Sequence, residues 1–424
     1  MKLRRATLHV LLATVLLTAH CASQEKSASV DSAFVPDRLL ILDAAIQKSI
    51  DAGEIPGAVA LIAHGGRVVY HKAFGYSDIE QQTPMTLGTI FRIASMTKAI
   101  TSVGVMILYE RGHFLLSDPV SAYLPEFDSP KVLVRADEKG NVLETRDASR
   151  EITILDLLTH TSGISYPFTE NALQRVYEKA GVIDGVTVRP LRLEDQMKIL
   201  ARQPLLHDPG ERFSYGLNTD LLGYLCQVIS GQPFDEFLTE EIFGPLGMID
   251  THFYLPGEKA KRLATLYAAD AEGNLRVSKG DESEIQLENP RYPVEGARTY
   301  FSGGAGLSAT SRDYARFLQM LLNEGELDGA RILSRKSVEL LTSPRVELEG
   351  QGPPKMSAAF YVYGSPGLEG VLTSPGSYKW GGAFYTTYFI DPRENLVALF
   401  MSQGRPIRSA MRDRFGVLVY QALR

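Results

Sequence analysis

The chain has 424 residues, 44% of them hydrophobic and 22% charged, with a formal net charge of −6. That is an ordinary globular balance with ample chain for a core. Basic residues are scattered among acidic ones with no dense Lys/Arg stripe, so a nucleic-acid partner is not expected, and no apolar run is long enough to span a bilayer.

The first 22 residues read as a signal peptide. Lys2, Arg4 and Arg5 form a positive start, "TLHVLLATVLLTA" is the apolar stretch, and small residues from Ala19 to Ser23 offer a cleavage point. Losing those three cations takes the net charge from −6 to −9. The sequence therefore predicts export to a periplasm or the extracellular space. Cys21 could instead carry a lipid, the one membrane attachment considered, although His20 before it fits a lipoprotein signal poorly. Cys226 lies in apolar "LLGYLCQVIS" and reads as a buried helix cysteine; without Cys21 it has no disulfide partner.

Residues 23–35 read as a tether. Pro36 and Asp37 then open a helix, with Leu39, Leu42, Ile46 and Ile50 on one face and Gly53 at its end. "GAVALIAHGGRVVYHKAFG" reads as a hairpin about Gly65-Gly66. In "SMTKAITSVGVMILYERG", Met96, Ile100, Val103 and Ile107 have helical spacing. Ser95 thus sits at a helix start, with Lys98 one turn on, on the same face. Residues 131–146 predict a surface hairpin. Helices follow at about 194–202, Thr219–Ser230 and Pro233–Phe243, then a loop-rich stretch over 255–300. "TSRDYARFLQMLLNEG" is a helix with Thr310 and Asp313 as its capping pair and a stripe of Tyr314, Phe317, Leu318, Leu321 and Leu322. "FYTTYFIDPRENLVALFMSQ" predicts two strands about an Asp391-Pro392 turn, and a last helix spans about 406–423.

Strands thus cluster at the two chain ends and helices fill the middle. The economical fold is α+β: one antiparallel sheet of about five strands drawn from both ends, flanked by helices, with an inserted mostly helical lobe. The α/β part covers about 36–90 and 295–424, and the lobe about 91–294.

Ser95 and Lys98 invite a chemical reading. A serine hydroxyl is a weak nucleophile and needs a neighbour to take its proton. A lysine can do so only if its amine can be neutral, a form that burial favours. The amide of a serine at a helix N-terminus is free to hold an oxyanion. The same pair, taken alone, also fits a capping serine followed by a solvated lysine. The identical spacing at Ser23 and Lys26 lies in the tether and has no such setting. No G-x-S-x-G elbow, H-E-x-x-H pair or Cys-His cluster occurs, which argues against an α/β-hydrolase triad and against metal-assisted hydrolysis.

"FRIASMTK" resembles the S-x-x-K nucleophile segment of the serine β-lactamase and penicillin-binding-protein superfamily. "ITILDLLTHTSGI", "DPGERFSYG", "IFGPLGMIDTHF" and "SGGAGLSATSRDYARF" are similar, in order, to segments of the class C β-lactamase and family VIII carboxylesterase branch. The resemblance covers nearly everything after residue 36 and implies a β-lactamase/transpeptidase-like fold. It implies Tyr215 as the third catalytic residue with Ser95 and Lys98. Leu217 stands where β-lactamases carry an asparagine, and Asn218 comes one later, so the amide that grips a β-lactam side chain is absent or displaced.

The strand motif beside the cleft lies in "KWGGAFYTTYFIDP". Lys379-Trp380-Gly381 could pass for K-x-G, but in the family the first motif residue lies eleven positions before the Asp of a D-P turn, and counting back from Asp391 gives Trp380. Trp380-Gly381-Gly382 then resembles the esterase W-G-G, with Lys379 pointing to the other face, and the resemblance implies that the amide of Ala383 joins that of Ser95 as an oxyanion donor. A tryptophan there suits a neutral ester better than a carboxylate. Tyr166, Tyr300 and Tyr385 are candidates for the acyl pocket, and Tyr385 stands where a glycine is expected. His160 is implied to be structural.

The resemblance implies an exported serine carboxylesterase for small-molecule, short-chain esters that needs no cofactor or metal. A β-lactamase or D-amino-acid peptidase using the same residues, a transacylase, and a catalytically silent scaffold are the alternatives. The sequence does not fix the oligomeric state.

Overall fold

The computed structural model describes residues 33–279, 289–350, 352 and 355–424. The expected leader, Cys21 and most of the tether lie outside the described residues. Helix α1 (Pro36–Asp51) starts with proline in its first turn, where no amide hydrogen is needed. Strands β1 (Gly57–His64) and β2 (Arg67–Asp78) form the expected hairpin. Gly65 and Gly66 take φ of 58° and 76°, the left-handed pair that a two-residue hairpin turn requires. Short β3 (Thr83–Pro84) and β4 (Ile90–Arg92) lead to a 3-10 turn at Ala94–Met96 and helix α2 (Thr97–Glu110).

The lobe holds the hairpin β5 (Lys131–Ala136) and β6 (Val142–Asp147), then helices α3 (Ile154–Leu158), α4 (Gln174–Ala180), α5 (Leu193–Ala201) and α6 (Asn218–Ser230). The helix expected over Pro233–Phe243 is α7 (Phe234–Leu238) followed by a π turn at Thr239–Phe243. Among its described residues the loop-rich stretch contains α8 (Gly257–Ala260) and the small hairpin β7 (Tyr267–Ala269) with β8 (Leu275–Val277). The chain returns through β9 (Ser308–Thr310), α9 (Ser311–Leu322), a hairpin of β10 (Glu326–Leu327) and β11 (Ala330–Arg331), and α10 (Arg335–Thr342). It finishes with β12 (Tyr361–Val362), α11 (Pro366–Glu369), β13 (Tyr378–Gly382), β14 (Thr386–Asp391), β15 (Leu396–Met401) and α12 (Met411–Tyr420).

The main sheet runs β12-β13-β14-β15-β1-β2-β3, with each neighbouring pair antiparallel. Both chain ends meet at its centre, where Val59 to His64 pair with Met401 to Leu396. The five long strands are the expected set; β3 and β12 add two residues each at the edges. Side chains alternate across the sheet. Ala58, Ala60, Ile62, Ala398 and Phe400 face α1 and α12 through Leu42, Ile46, Phe415 and Val419. Val59, Leu61, Val397 and Leu399 face the other way, into the core that includes the α9 stripe and α2. Burying side chains such as Phe415 or Leu399 contributes roughly 1.5–3 kcal/mol each.

Candidate active site

The turn that carries Ser95 is held from several sides. Strand β4 pairs with β9. The buried Arg92 guanidinium donates to the carbonyls of Tyr292, Ala264 and Pro290, and Gln403 Oε1 accepts from its amide. Tyr314 Oη donates to the Met96 carbonyl at 2.8 Å. Between these anchors Ala94 is forced to φ 43°, a strained value for a residue with a Cβ. Ser95 follows at the helix start, half-buried, with its side chain on the wall of a cavity of about 970 Å³.

The structure brings Ser95, Lys98 and Tyr215 together. Tyr215 Oη donates to Ser95 Oγ at 2.7 Å. Lys98 Nζ lies 3.4 Å from Ser95 Oγ, 3.0 Å from Tyr166 Oη and 2.7 Å from the Gly304 carbonyl. It sits 4.7 Å from the centre of the Tyr215 ring, and Lys98 is only 3% exposed. Three acceptors match the three donors of an ammonium. A neutral amine in the same place keeps two donors for Tyr166 and Gly304 and turns its lone pair to Ser95. The site can therefore hold the lysine in either form without leaving a buried polar group unpaired.

Tyr215 is fixed by rings. His160 lies 5.0 Å away, Tyr166 5.3 Å and Trp380 6.0 Å, centre to centre. The segment that carries His160 and Tyr166 follows α3, whose capping box joins Thr153 and Asp156. Asp156 also takes both terminal nitrogens of Arg150, at 2.6 and 2.9 Å. That guanidinium and the Thr153 donors hold the carboxyl below its usual range despite burial. His160 is buried, and burial together with the Lys98 charge pushes its proton affinity far down. It is thus a neutral ring whose Nδ1 accepts from Asn218 Nδ2 at 2.9 Å.

That contact settles the fate of the displaced amide. Asn218 is fully buried and also accepts from Ser162 Oγ. Its side chain is spent inside the protein, and Leu217 is buried in the core.

Strand β13 forms the opposite wall. Trp380 pairs with Tyr388 and Lys379 with Phe389, and these partners belong to opposite faces of the sheet. Trp380 lies beside Tyr215, while Lys379 Nζ sits over the rings of Tyr363 and Tyr361 at 4.8 and 5.3 Å. A Cβ on Gly382 would overlap the Ile93 carbonyl and Thr386 Oγ1. Only glycine lets β13 lie this close to the turn that carries Ser95. Ala383, next along, lines the same cavity as Ser95, Trp380, Gly381 and Gly382.

Of the three tyrosines considered for the acyl pocket, only Tyr166 touches the constellation. Tyr300 is buried behind it. Tyr385 has φ 69°, which explains the expectation of glycine there, and its hydroxyl donates to the Ser409 carbonyl in the opposite face of the sheet. The expectation for Tyr385 is therefore corrected: it does not bound the pocket. Sequence reasoning missed the Gly304 carbonyl and Asp220 behind it, which meet Lys98 only in the folded chain. Phe168, stacked on Tyr166 at 4.6 Å, also lines the cavity mouth and was not foreseen.

Residues 42–421 match the Beta-lactamase family. Esterase EstB from Burkholderia gladioli is 30% identical over 401 residues, 91% of this chain and 96% of its own length. A monacolin J acid methylbutanoyltransferase from Aspergillus terreus is 29% identical over 410 residues, 89% of this chain and 93% of its own. Among solved structures, EstCE1, described as a hydrolase with promiscuous acyltransferase activity, superposes with a TM-score of 0.78 at 27% identity, covering 91% of this chain and 98% of that one. The chain belongs to the Beta-lactamase family, on a serine β-lactamase and penicillin-binding-protein fold that esterases and acyltransferases share.

Proposed function

We propose that this chain is a serine carboxylesterase that hydrolyses small, short-chain esters through an acyl-enzyme. The observation that carries the reading is the Tyr215 hydroxyl on Ser95 Oγ, beside a buried Lys98, in a cavity walled by Trp380.

Ser95 Oγ attacks the ester carbonyl carbon while its proton passes to the Lys98–Tyr215 pair. The carbonyl oxygen becomes an oxyanion held by the amides of Ser95 and Ala383. The tetrahedral adduct collapses, the C–O bond to the alcohol breaks, and the alkoxide leaves with a proton from the same pair. Water then attacks the acyl-serine carbonyl, gives its proton to the pair, and the acid departs as Ser95 Oγ is reprotonated. No cofactor enters any of these steps. Trp380 presents an apolar wall where a cation would be needed for a β-lactam carboxylate, and no asparagine among the described residues lines the cleft. Both features favour a neutral ester.

The test sets short-chain p-nitrophenyl esters beside a chromogenic cephalosporin, with Ser95→Ala as control. Ester turnover that Ser95→Ala abolishes is expected. Fast cephalosporin turnover with no ester activity would make the chain a β-lactamase, and no acyl turnover at all would favour the scaffold. The leader reading adds export, checked by finding the mature N-terminus between residues 19 and 24 in a periplasmic or culture fraction.

A further inference from the structure

A buried acid lies behind Lys98 and no step above uses it. Asp220 is in the first turn of α6 and is 0% exposed. Its Oδ1 accepts from Ser302 Oγ at 2.6 Å, and Ser302 Oγ in turn accepts from the Ala305 amide at 3.0 Å. Its Oδ2 is buried with no well-aligned hydrogen-bond partner among the described residues, although the Gly304 backbone beside it favours the ionised form.

The turn that Asp220 grips, Ser302 to Ala305, is the one that offers the Gly304 carbonyl to Lys98 Nζ. A Cβ on Gly304 would overlap Asp220 Oδ2, and one on Gly303 would overlap the Thr219 carbonyl. The two glycines therefore let this turn lie against α6, between the carboxyl and the amine. Gly303 O also accepts from Thr101 Oγ1, one turn along α2 from Lys98, at 2.7 Å.

Resting on the esterase reading above, we propose that Asp220 is a positioning residue for Lys98. It clamps the Ser302–Ala305 turn against the amine and supplies the negative charge that balances the ammonium formed when Ser95 gives up its proton.

The groups facing Asp220 come from every element around it. Lys98 projects from α2; Tyr166 and Asp184 come from the lobe segments after α3 and α4; Tyr292, Tyr300 and Ser302 come from the segment before β9. The tyrosines are held neutral by burial. Burial pushes the Asp220 carboxyl up to about 6, against the Ser302 hydrogen bond and the Lys98 charge, which both favour ionisation. Asp220 is thus ionised above that pH and neutral below it.

The experiment follows two rates against pH from 4.5 to 9: kcat for p-nitrophenyl butyrate, and labelling of Ser95 by a fluorophosphonate, read by mass spectrometry. Wild type, Asp220→Asn and Ser302→Ala are compared. Wild type is expected to lose activity with a midpoint near 6. Asp220→Asn is expected to lose that limb and to fall roughly tenfold to a hundredfold in kcat, with KM within about threefold. Ser302→Ala removes both a hydrogen bond that favours the ionised acid and one strut of the clamp, so its limb moves to higher pH and its plateau falls, though by less than in Asp220→Asn. A merely structural acid would not move these limbs in opposite ways. The proposal is overturned if Asp220→Asn keeps the wild-type limb and rate, or if the Ser302→Ala limb stays in place. Should Asp220→Asn fail to fold, Ser302→Ala decides alone. A wild type that is labelled at Ser95 but turns over no ester refutes the esterase reading and leaves the labelling profiles to judge Asp220; no labelling at all overturns both.

Discussion

Replacing Gly382 by alanine tests whether the proposed oxyanion site depends on the approach of β13 to the nucleophile turn. Gly382 does not have a left-handed φ, so the obstacle is space alone. The new methyl would fall well inside 3.0 Å of both Thr386 Oγ1 and the Ile93 carbonyl oxygen. The Thr386 side chain can rotate, but the Ile93 oxygen is main chain, one residue before strained Ala94. Strand β13 must then retreat by about 1 Å to reach an ordinary contact distance. The Ala383 amide moves with it, while the Ser95 amide stays in the 3-10 turn before α2. A misplacement of about 1 Å commonly costs ~10²-fold in rate, and overpacking costs about 1–3 kcal/mol of stability. The neighbouring change, Gly381→Ala, is the control: its methyl would meet the Thr386 carbonyl oxygen at 3.1 Å and the Thr387 side chain at an ordinary 3.9 Å. The assay is kcat/KM on p-nitrophenyl butyrate with a thermal melt of each variant. Gly382→Ala should lose about a hundredfold and Gly381→Ala under tenfold. Equal rates for the two variants, both near wild type, would refute the argument.

Tyr215→Phe keeps the ring contacts with His160, Tyr166 and Trp380 and removes only the hydroxyl on Ser95. It should cost about 1 kcal/mol of stability or less yet slow ester hydrolysis by ~10²–10⁴, measured by melting and by initial rates. Lys379→Ala should leave ester kinetics within about threefold, because the amine lies over Tyr361 and Tyr363, whereas Trp380→Ala should raise KM several-fold by removing an apolar wall. His160 has its proton affinity lowered in the fold. The unfolded chain takes up a proton near pH 6.5 that the folded chain refuses, so His160 contributes stability that is present above about pH 6.5 and lost as pH falls below it. Stability from urea unfolding should therefore fall less between pH 7.5 and 5 in His160→Gln than in wild type; parallel slopes would exclude this assignment.

The sequence made the elements legible where one periodicity ran long enough. Met96, Ile100, Val103 and Ile107 identify α2 and so the place of Ser95; the Gly65-Gly66 pair identifies the first hairpin; the Asp391-Pro392 turn fixes the register that sets Trp380 apart from Lys379. Short helices escaped. Helix α3 has five residues and α4 seven, too few for a 3.6-residue pattern to stand out, although Thr153 and Asp156 carried a capping signal. The back of the site escaped for another reason. Gly304 and Asp220 reach Lys98 only through tertiary folding, and neither a glycine carbonyl nor a buried acid has a local signature. The Tyr385 expectation failed because a strand gives alternate residues opposite faces, and its left-handed φ reverses the chain just where that alternation had to be counted.

The central pairing of β1 with β15 also governs when this molecule can work. A ribosome would release the hairpin of β1 and β2 early, yet its open edge must wait for residues 396–401 before it is paired, and its two apolar faces are fully covered only when α9 and α12 have been made. Such distant partners make for slow assembly, with sticky intermediates along the way. Ser95, Lys98 and Tyr215 are likewise all synthesised before any part of β13 exists. The nascent chain thus carries the hydroxyl proposed as nucleophile without the wall that completes the crevice, and that wall arrives with β13 and the strands after it.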